Sequence, residues 1–93
     1  MALLEQDEIE QRLAELDGWA LSGDAITKDF ERGDFNGSVE LVNAIAPVAD
    51  DLNHHPDLGI SWNTVTVTIT THSQGGLTEA DFELAGRIEA LAR

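Results

Sequence analysis

The run Val65-Thr66-Val67-Thr68-Ile69-Thr70 alternates aliphatic and threonine side chains without a break. A period of two gathers the aliphatic residues on one face only if the backbone is a strand, because a helix would scatter them around its axis. The β pattern extends over about residues 60–71, with Ile60 and Trp62 on a preceding strand and Asn63-Thr64 as the turn, so a hairpin is predicted. Its aliphatic face calls for helices as cover, while its threonine face is free to meet solvent, a ligand or a partner sheet.

The remaining segments supply that cover. Ile9, Leu13 and Leu16 form one apolar stripe on a helix predicted from about Asp7 to Leu16, stopped by Gly18. Trp19 to Leu21 and Ile26 to Phe30 flank Ser22-Gly23-Asp24 and read as a first hairpin. Asp34 precedes a central helix opened by Phe35, whose buried face holds Val39, Val42, Ala46 and Ala49, widened by Leu41, Ile45, Val48 and Leu52. Pro47 lies inside it and predicts a kink, or a break and restart, because proline cannot donate to residue 43 and its ring crowds that carbonyl. The piece beyond carries Asp50, Asp51, Asn53, His54 and His55 toward Pro56, which ends it. After the break at Gly75-Gly76, Thr78-Glu79-Ala80-Asp81 resembles a capping box heading a last helix, striped by Ala85, Ile88, Leu91 and Ala92. The expected fold is α+β: one domain over residues 1–93, ordered α-β-β-α-β-β-α, with helices on one face of a four-stranded antiparallel sheet.

At 93 residues there is no room for a second core, and the lack of cysteine removes disulfides and thiolate metal cages as reinforcement, which leaves self-association as an aid to stability. Eighteen acidic residues against five basic ones, a net charge of -13 and a single lysine, Lys28, argue against nucleic acid as a partner. Solubility accounts for the acidity more simply than an acidic partner surface does. No apolar window approaches the ~20 residues of a membrane span. With no cysteine and an acidic start lacking a leader pattern, the chain is expected to be cytoplasmic.

The three histidines all fall near element ends: His54 and His55 at the close of the central helix, and His72 at the close of the last strand. Brought together, they would offer acid and base groups that titrate near neutral pH. Asp50 precedes His54 by four residues and Asp51 precedes His55 by four, so either carboxylate could orient an imidazole, or both could belong to an ordinary solvated face. A metal site of His54, His72 and Asp50 or Asp51 is a weaker reading, since adjacent histidines do not easily turn to one ion and no H-x-x-x-H pair is present. There is no phosphate loop, no G-x-S-x-G elbow and no cysteine nucleophile. Trp19 and Trp62 could stack on a flat heterocycle, although core packing is the commoner fate of tryptophan.

Asn53-His54-His55-Pro56-Asp57, then Trp62-Asn63-x-Val65, Thr71-His72 and Gly76-Leu77-Thr78-x-x-Asp81, together resemble the signature of the pterin-4a-carbinolamine dehydratases, as do Gly18-Trp19 and Asp34-Phe35. The resemblance implies the fold order read above and a lyase that removes water from a 4a-hydroxytetrahydropterin to give the quinonoid dihydropterin. The pterin would be a substrate, with no metal or prosthetic group required. It also implies a pocket lined by His54, His55 and His72, with His55 moving a proton and the other two binding substrate and assisting the acid step. Asp50, Asn53, Pro56, Thr70, Thr71 and Asp81 are the expected substrate-binding residues. Homodimers or homotetramers are implied as well, and the alternative the family carries is a non-enzymatic interaction module, either a transcription coactivator or an assembly factor. The chain departs from the family pattern at Asp50, where glutamate is frequent, and at Trp62, where tyrosine or another aromatic is typical; Pro47 falls in the helix leading to the site.

Overall fold

The computed structural model describes residues 2–93. Helix α1 (Gln6–Ala14) leads into strands β1 (Ala20–Ser22) and β2 (Ala25–Glu31), followed by helix α2 (Phe35–Leu52). Strands β3 (Asp57–Ser61) and β4 (Thr64–Ile69), a short 3-10 turn (His72–Gln74) and helix α3 (Glu79–Ala92) complete the chain. The strands form one antiparallel sheet in the order β1-β2-β4-β3. The α-β-β-α-β-β-α order read from the sequence is therefore observed.

The alternation in β4 does what its period dictates. Val65, Val67 and Ile69 are fully buried, and opposite them on β2 stand Phe30, Lys28 and Ile26. Ile26, Phe30 and the β4 aliphatics meet Leu41 and Ile45 of α2 and Phe82, Leu84, Ala85 and Ile88 of α3 in one apolar cluster. On the other face Thr27 and Thr68 hydroxyls lie 3.2 Å apart, and Thr66 donates to Asp29 at 2.7 Å. Lys28 is the exception in the inner row: its stem crosses the apolar face while its ammonium reaches Glu89 of α3 and the Asp17 carbonyl. Glu89 also accepts from the Trp19 indole at 2.8 Å, so both polar tips on this side of the core are satisfied.

Several expectations are corrected. First, α2 runs through Pro47 as one helix, without the break and restart. Pro47 sits on the exposed side, and the buried residues Leu41, Ile45 and Ala49 on both sides of it hold the rod against the sheet, so one lost backbone bond does not divide it. Ala46, expected on the buried face, is exposed. Second, α2 ends at Leu52, because Asn53 adopts the left-handed conformation (φ 51°, ψ 42°) and the His54 amide bonds back to the Ala49 carbonyl at 3.0 Å. This is a Schellman-type end, and it places both histidines beyond the helix rather than on it. Third, the β3–β4 turn is centred on Trp62 and Asn63, one residue earlier than predicted, with Trp62 at φ 51° and largely exposed. The Ser38 hydroxyl donates to the Trp62 carbonyl at 2.8 Å and the Arg32 amide to the Asn63 carbonyl at 2.6 Å, which hold a bulky residue in a conformation it otherwise avoids. Fourth, Leu91 is exposed, and Phe82 and Leu84 fill the core face of α3 in its place.

The antiparallel register also sets the two ends of the molecule. Asp57 at the start of β3 lies opposite Thr68 near the end of β4, so the residues just before β3 and just after β4 emerge at the same end of the sheet. Helix α2 starts at the other end, beside the β3–β4 turn, and delivers the chain to this one. None of the helices among the described residues is long and apolar enough to cross a membrane.

Two expectations for stability follow. Replacing Pro47 with alanine restores the missing bond to the Asn43 carbonyl and should raise the unfolding free energy by about 1–3 kcal/mol, read by urea denaturation; a lower value would mean that the proline shapes α2 in a way the fold needs. At the head of α3, the hydrogen bond and charge of Arg12 hold the exposed Glu79 carboxyl below its ordinary range. A depressed carboxyl contributes stability that is present above its unfolded-state pKa and is lost as pH falls through its folded-state value. The melting-temperature difference between wild type and Glu79→Gln should therefore be small and positive at neutral pH and vanish on acidification. A difference independent of pH would contradict that assignment.

Candidate active site

Three chain segments meet at the end of the sheet set by the β3–β4 register: the exit from α2 (Asn53 to Pro56), the exit from β4 (Thr70 to His72) and the entrance to α3 (Thr78 to Asp81). Asp81 joins them. Its side chain is fully buried, and burial of a carboxylate is costly unless donors replace the lost water. Here they do. One oxygen, Oδ1, lies 2.6 Å from His54 Nε2; the other, Oδ2, accepts from the Thr71 hydroxyl at 2.8 Å and from the Thr78 amide at 2.8 Å.

The Thr78 amide bond is half of the capping box anticipated from Thr78-Glu79-Ala80-Asp81; in the other half the Thr78 hydroxyl accepts from the Asp81 amide. A helix N-terminus also favours negative charge. The same hydroxyl lies 2.9 Å from that of Thr71, and an isolated bridge from Thr71 to Gly76 closes the loop between β4 and α3. No buried side-chain nitrogen or oxygen among the described residues is left without a partner.

His55 is held differently. Its Nε2 lies 2.9 Å from Asp50 Oδ1, and both side chains are largely exposed. Neither of the pairings offered by helical spacing, Asp50 with His54 or Asp51 with His55, is formed. Asn53 in the left-handed conformation turns the chain, His54 is directed inward to Asp81, and His55 rather than His54 meets Asp50. Asp51 instead faces Arg87 at 3.6 Å. His72 opens the 3-10 turn, exposed, one residue after the buried Thr71. It therefore follows the last strand rather than closing it. Thr70 donates to the Asp24 carbonyl at 2.6 Å and so ties the β1–β2 turn to the same end. Pro56 is half-buried between His55 and β3, and Asn53 is exposed as the helix cap. Among the described residues no three His, Asp or Glu side chains are gathered so as to hold a metal ion. The residue that spacing rules missed is Thr78. Its backbone cap was legible, but its hydroxyl contact with Thr71 spans a turn that no periodicity describes.

The model of the pterin 4 alpha carbinolamine dehydratase family matches residues 2–91. The chain belongs to this family. Among its relatives in the pterin 4 alpha carbinolamine dehydratase family, a Sulfolobus acidocaldarius protein is 44% identical over 95% of this chain and 97% of its own. A Streptomyces avermitilis protein is 50% identical over 96% of this chain and 89% of its own. Both are named as candidate pterin-4-alpha-carbinolamine dehydratases. In solved structures, a Brucella melitensis protein described as a transcriptional coactivator/pterin dehydratase superposes with a TM-score of 0.95 at 35% identity, over 99% of this chain and 100% of that one. A pterin dehydratase-like protein identified as a RuBisCO assembly factor in the alpha-carboxysome shares the fold, with a TM-score of 0.66 at 23% identity, over 80% of this chain and 86% of that one.

The two histidine–carboxylate pairs differ in burial, and their removal should differ in cost. Asp81→Ala strands the Thr71 hydroxyl, the Thr78 amide and a His54 nitrogen in the interior and is expected to cost about 3–5 kcal/mol in urea denaturation. Asp50→Ala, at an exposed pair, should cost under about 1 kcal/mol. Equal costs for the two would contradict the structural role given to Asp81.

Proposed function

We propose that this member of the family dehydrates a 4a-hydroxytetrahydropterin to the quinonoid dihydropterin at the end of the sheet that carries His54, His55 and His72. The observation that carries the reading is the pairing of His54 with the buried Asp81, beside His55 with its own carboxylate, while Thr71, bonded to the same Asp81, directly precedes His72. The reaction breaks the C4a–O bond as the hydroxyl takes a proton and departs as water. It removes the proton on N5, whose electron pair forms the C4a–N5 double bond. One site must therefore give a proton and take one, and neutral and protonated imidazoles interconvert near neutral pH.

His55 is the residue assigned to proton movement, being exposed to incoming substrate and held by Asp50. His54 and His72 bind the pterin and assist the acid step. Asn53 and Pro56 border His55 on the substrate-facing segment, and Asp50, Thr70, Thr71 and Asp81 complete the binding set, Thr71 and Asp81 from behind His54. The chemistry asks the protein for proton transfer alone, so the pterin is substrate and no metal or prosthetic group is invoked. A homodimer or homotetramer is part of the same reading. The free edge strand β3 leaves its hydrogen-bonding groups unpaired on one side, with Leu58 and Ile60 partly exposed on it. An interaction role is the second reading, favoured by that edge and by the coactivator description of the Brucella melitensis relative.

The test follows the decay of a 4a-hydroxytetrahydropterin, generated by a pterin-dependent hydroxylase, by ultraviolet absorbance. Wild-type protein should accelerate the decay, and His55→Ala and His72→Ala should each lose much of that acceleration, on the order of 10²-fold for the group that moves the proton. No acceleration by folded wild-type protein would reject the enzymatic reading and leave the interaction role as the leading one.

A further inference from the structure

We infer that Thr71 and Thr78 are positioning residues which, through Asp81, hold His54 in the tautomer protonated at Nε2, so that Nδ1 is the nitrogen offered to a ligand; the ligand's being a pterin rests on the function proposed above. The inference comes from following the protons around the buried network. An ionised carboxylate only accepts hydrogen bonds, whereas a hydroxyl both donates and accepts. Thr71 has a single hydroxyl proton and the carboxylate claims it, so between the two threonine hydroxyls Thr78 Oγ1 is the one that gives its proton. Thr71 Oγ1, 2.9 Å away, takes it and passes its own proton to Asp81 Oδ2 at 2.8 Å. The Thr78 amide donates to that same oxygen at 2.8 Å. Both hydroxyls thereby point one way around the ring, and Oδ2 is saturated with donors.

The remaining oxygen, Oδ1, has one neighbour, His54 Nε2 at 2.6 Å. With the carboxylate as acceptor, the imidazole has to be the donor there. A neutral imidazole that donates from Nε2 accepts at Nδ1.

An ordinary capping box does not require this arrangement. One carboxylate oxygen and one N-cap hydroxyl suffice for it, and it works in water. Here Asp81 and Thr78 are fully buried and Thr71 nearly so, while His54 keeps only a small exposed fraction. The cap fixes where Oδ2 lies, Thr71 prevents the carboxylate from turning about its terminal torsion, and Oδ1 is left aimed at His54. The helix start and the imidazole are set by one carboxylate, and Thr71 is the residue that makes its orientation single-valued. His72, directly after Thr71, is placed by the same anchor at the opening of the 3-10 turn.

The test uses the full-length chain labelled with 15N at histidine, with imidazole tautomers read from long-range 1H–15N spectra at mildly alkaline pH, and the same samples assayed for dehydration. Wild type is expected to show His54 as a single tautomer protonated at Nε2. Thr71→Val should mix the two tautomers and lower kcat/KM by about tenfold, the scale of one charge-assisted hydrogen bond. Thr71→Ser, which keeps the donor, should restore both readouts, and Thr78→Val, which removes the proton given to Thr71, should fall between them. His54 protonated at Nδ1 in wild type overturns the inference without any variant, and so does a folded Thr71→Val whose His54 spectrum is unchanged. Should Thr71→Val not fold, Thr71→Ser decides alone, since a disturbed His54 signature with the hydroxyl present would rule Thr71 out as the positioning group. The spectra are independent of turnover, so a wild-type protein without dehydratase activity would reject the proposed function and leave the tautomer result to stand or fall separately.

Discussion

The hydrogen bond between His54 and the buried carboxylate of Asp81 ties together the exit of α2, the exit of β4 and the entrance of α3. A buried carboxylate tolerates few geometries, because each oxygen must find donors to replace water. Those donors come from three separate stretches of chain: an imidazole after α2, a hydroxyl after β4, and the N-cap amide at the entrance to α3. Meeting that one demand fixes how the three stretches converge, and it is why a small domain can present a defined arrangement of side chains on what are formally loops.

The rest of the fold brings those stretches to one place. The aliphatic face of β4 is the floor against which α2 and α3 pack, and the antiparallel pairing of β3 with β4 returns the chain to the end it left. Helix α2 spans the distance between the two ends, and its continuity through Pro47 preserves that reach. Lys28, alone among the inner-face residues of β2 in carrying a charge, is satisfied by Glu89 of α3, so the core includes an ion pair without a stranded charge.

Much of this was legible in the sequence for reasons of period and capping. The strict alternation in β4 and the Thr78–Asp81 box follow local rules that tertiary structure then obeyed, whereas in α2 the buried line runs through Leu41, Ile45 and Ala49, beside the stripe of Val39, Val42, Ala46 and Ala49 that the spacing put first. The site itself was legible in membership but not in pairing. Spacing by four assumes that the helix continues, and the left-handed Asn53 ends it, so His54 leaves Asp50 to His55 and turns to a carboxylate far along the chain. Nothing local announces a left-handed asparagine immediately before two histidines. Trp62 escaped for the opposite reason. Turn chemistry favours small residues at positive φ, yet contacts from Ser38 and Arg32 impose that conformation on a tryptophan. Pro47 shows tertiary packing overriding a strong local signal.

The proposed pterin site lies at the end of the sheet where His54, His55 and His72 emerge. It is tested most directly by titrating the 15N-labelled protein with a stable dihydropterin and recording which amide and imidazole signals move. The expected result is a compact set of shifts at Asn53 to His55 and Thr70 to Gln74, with the Asp81 amide following and the β3–β4 turn unmoved. Shifts centred elsewhere, such as the cleft between α1 and α3 lined by Arg12, Leu16 and Phe82, or no shifts at millimolar ligand, would contradict it.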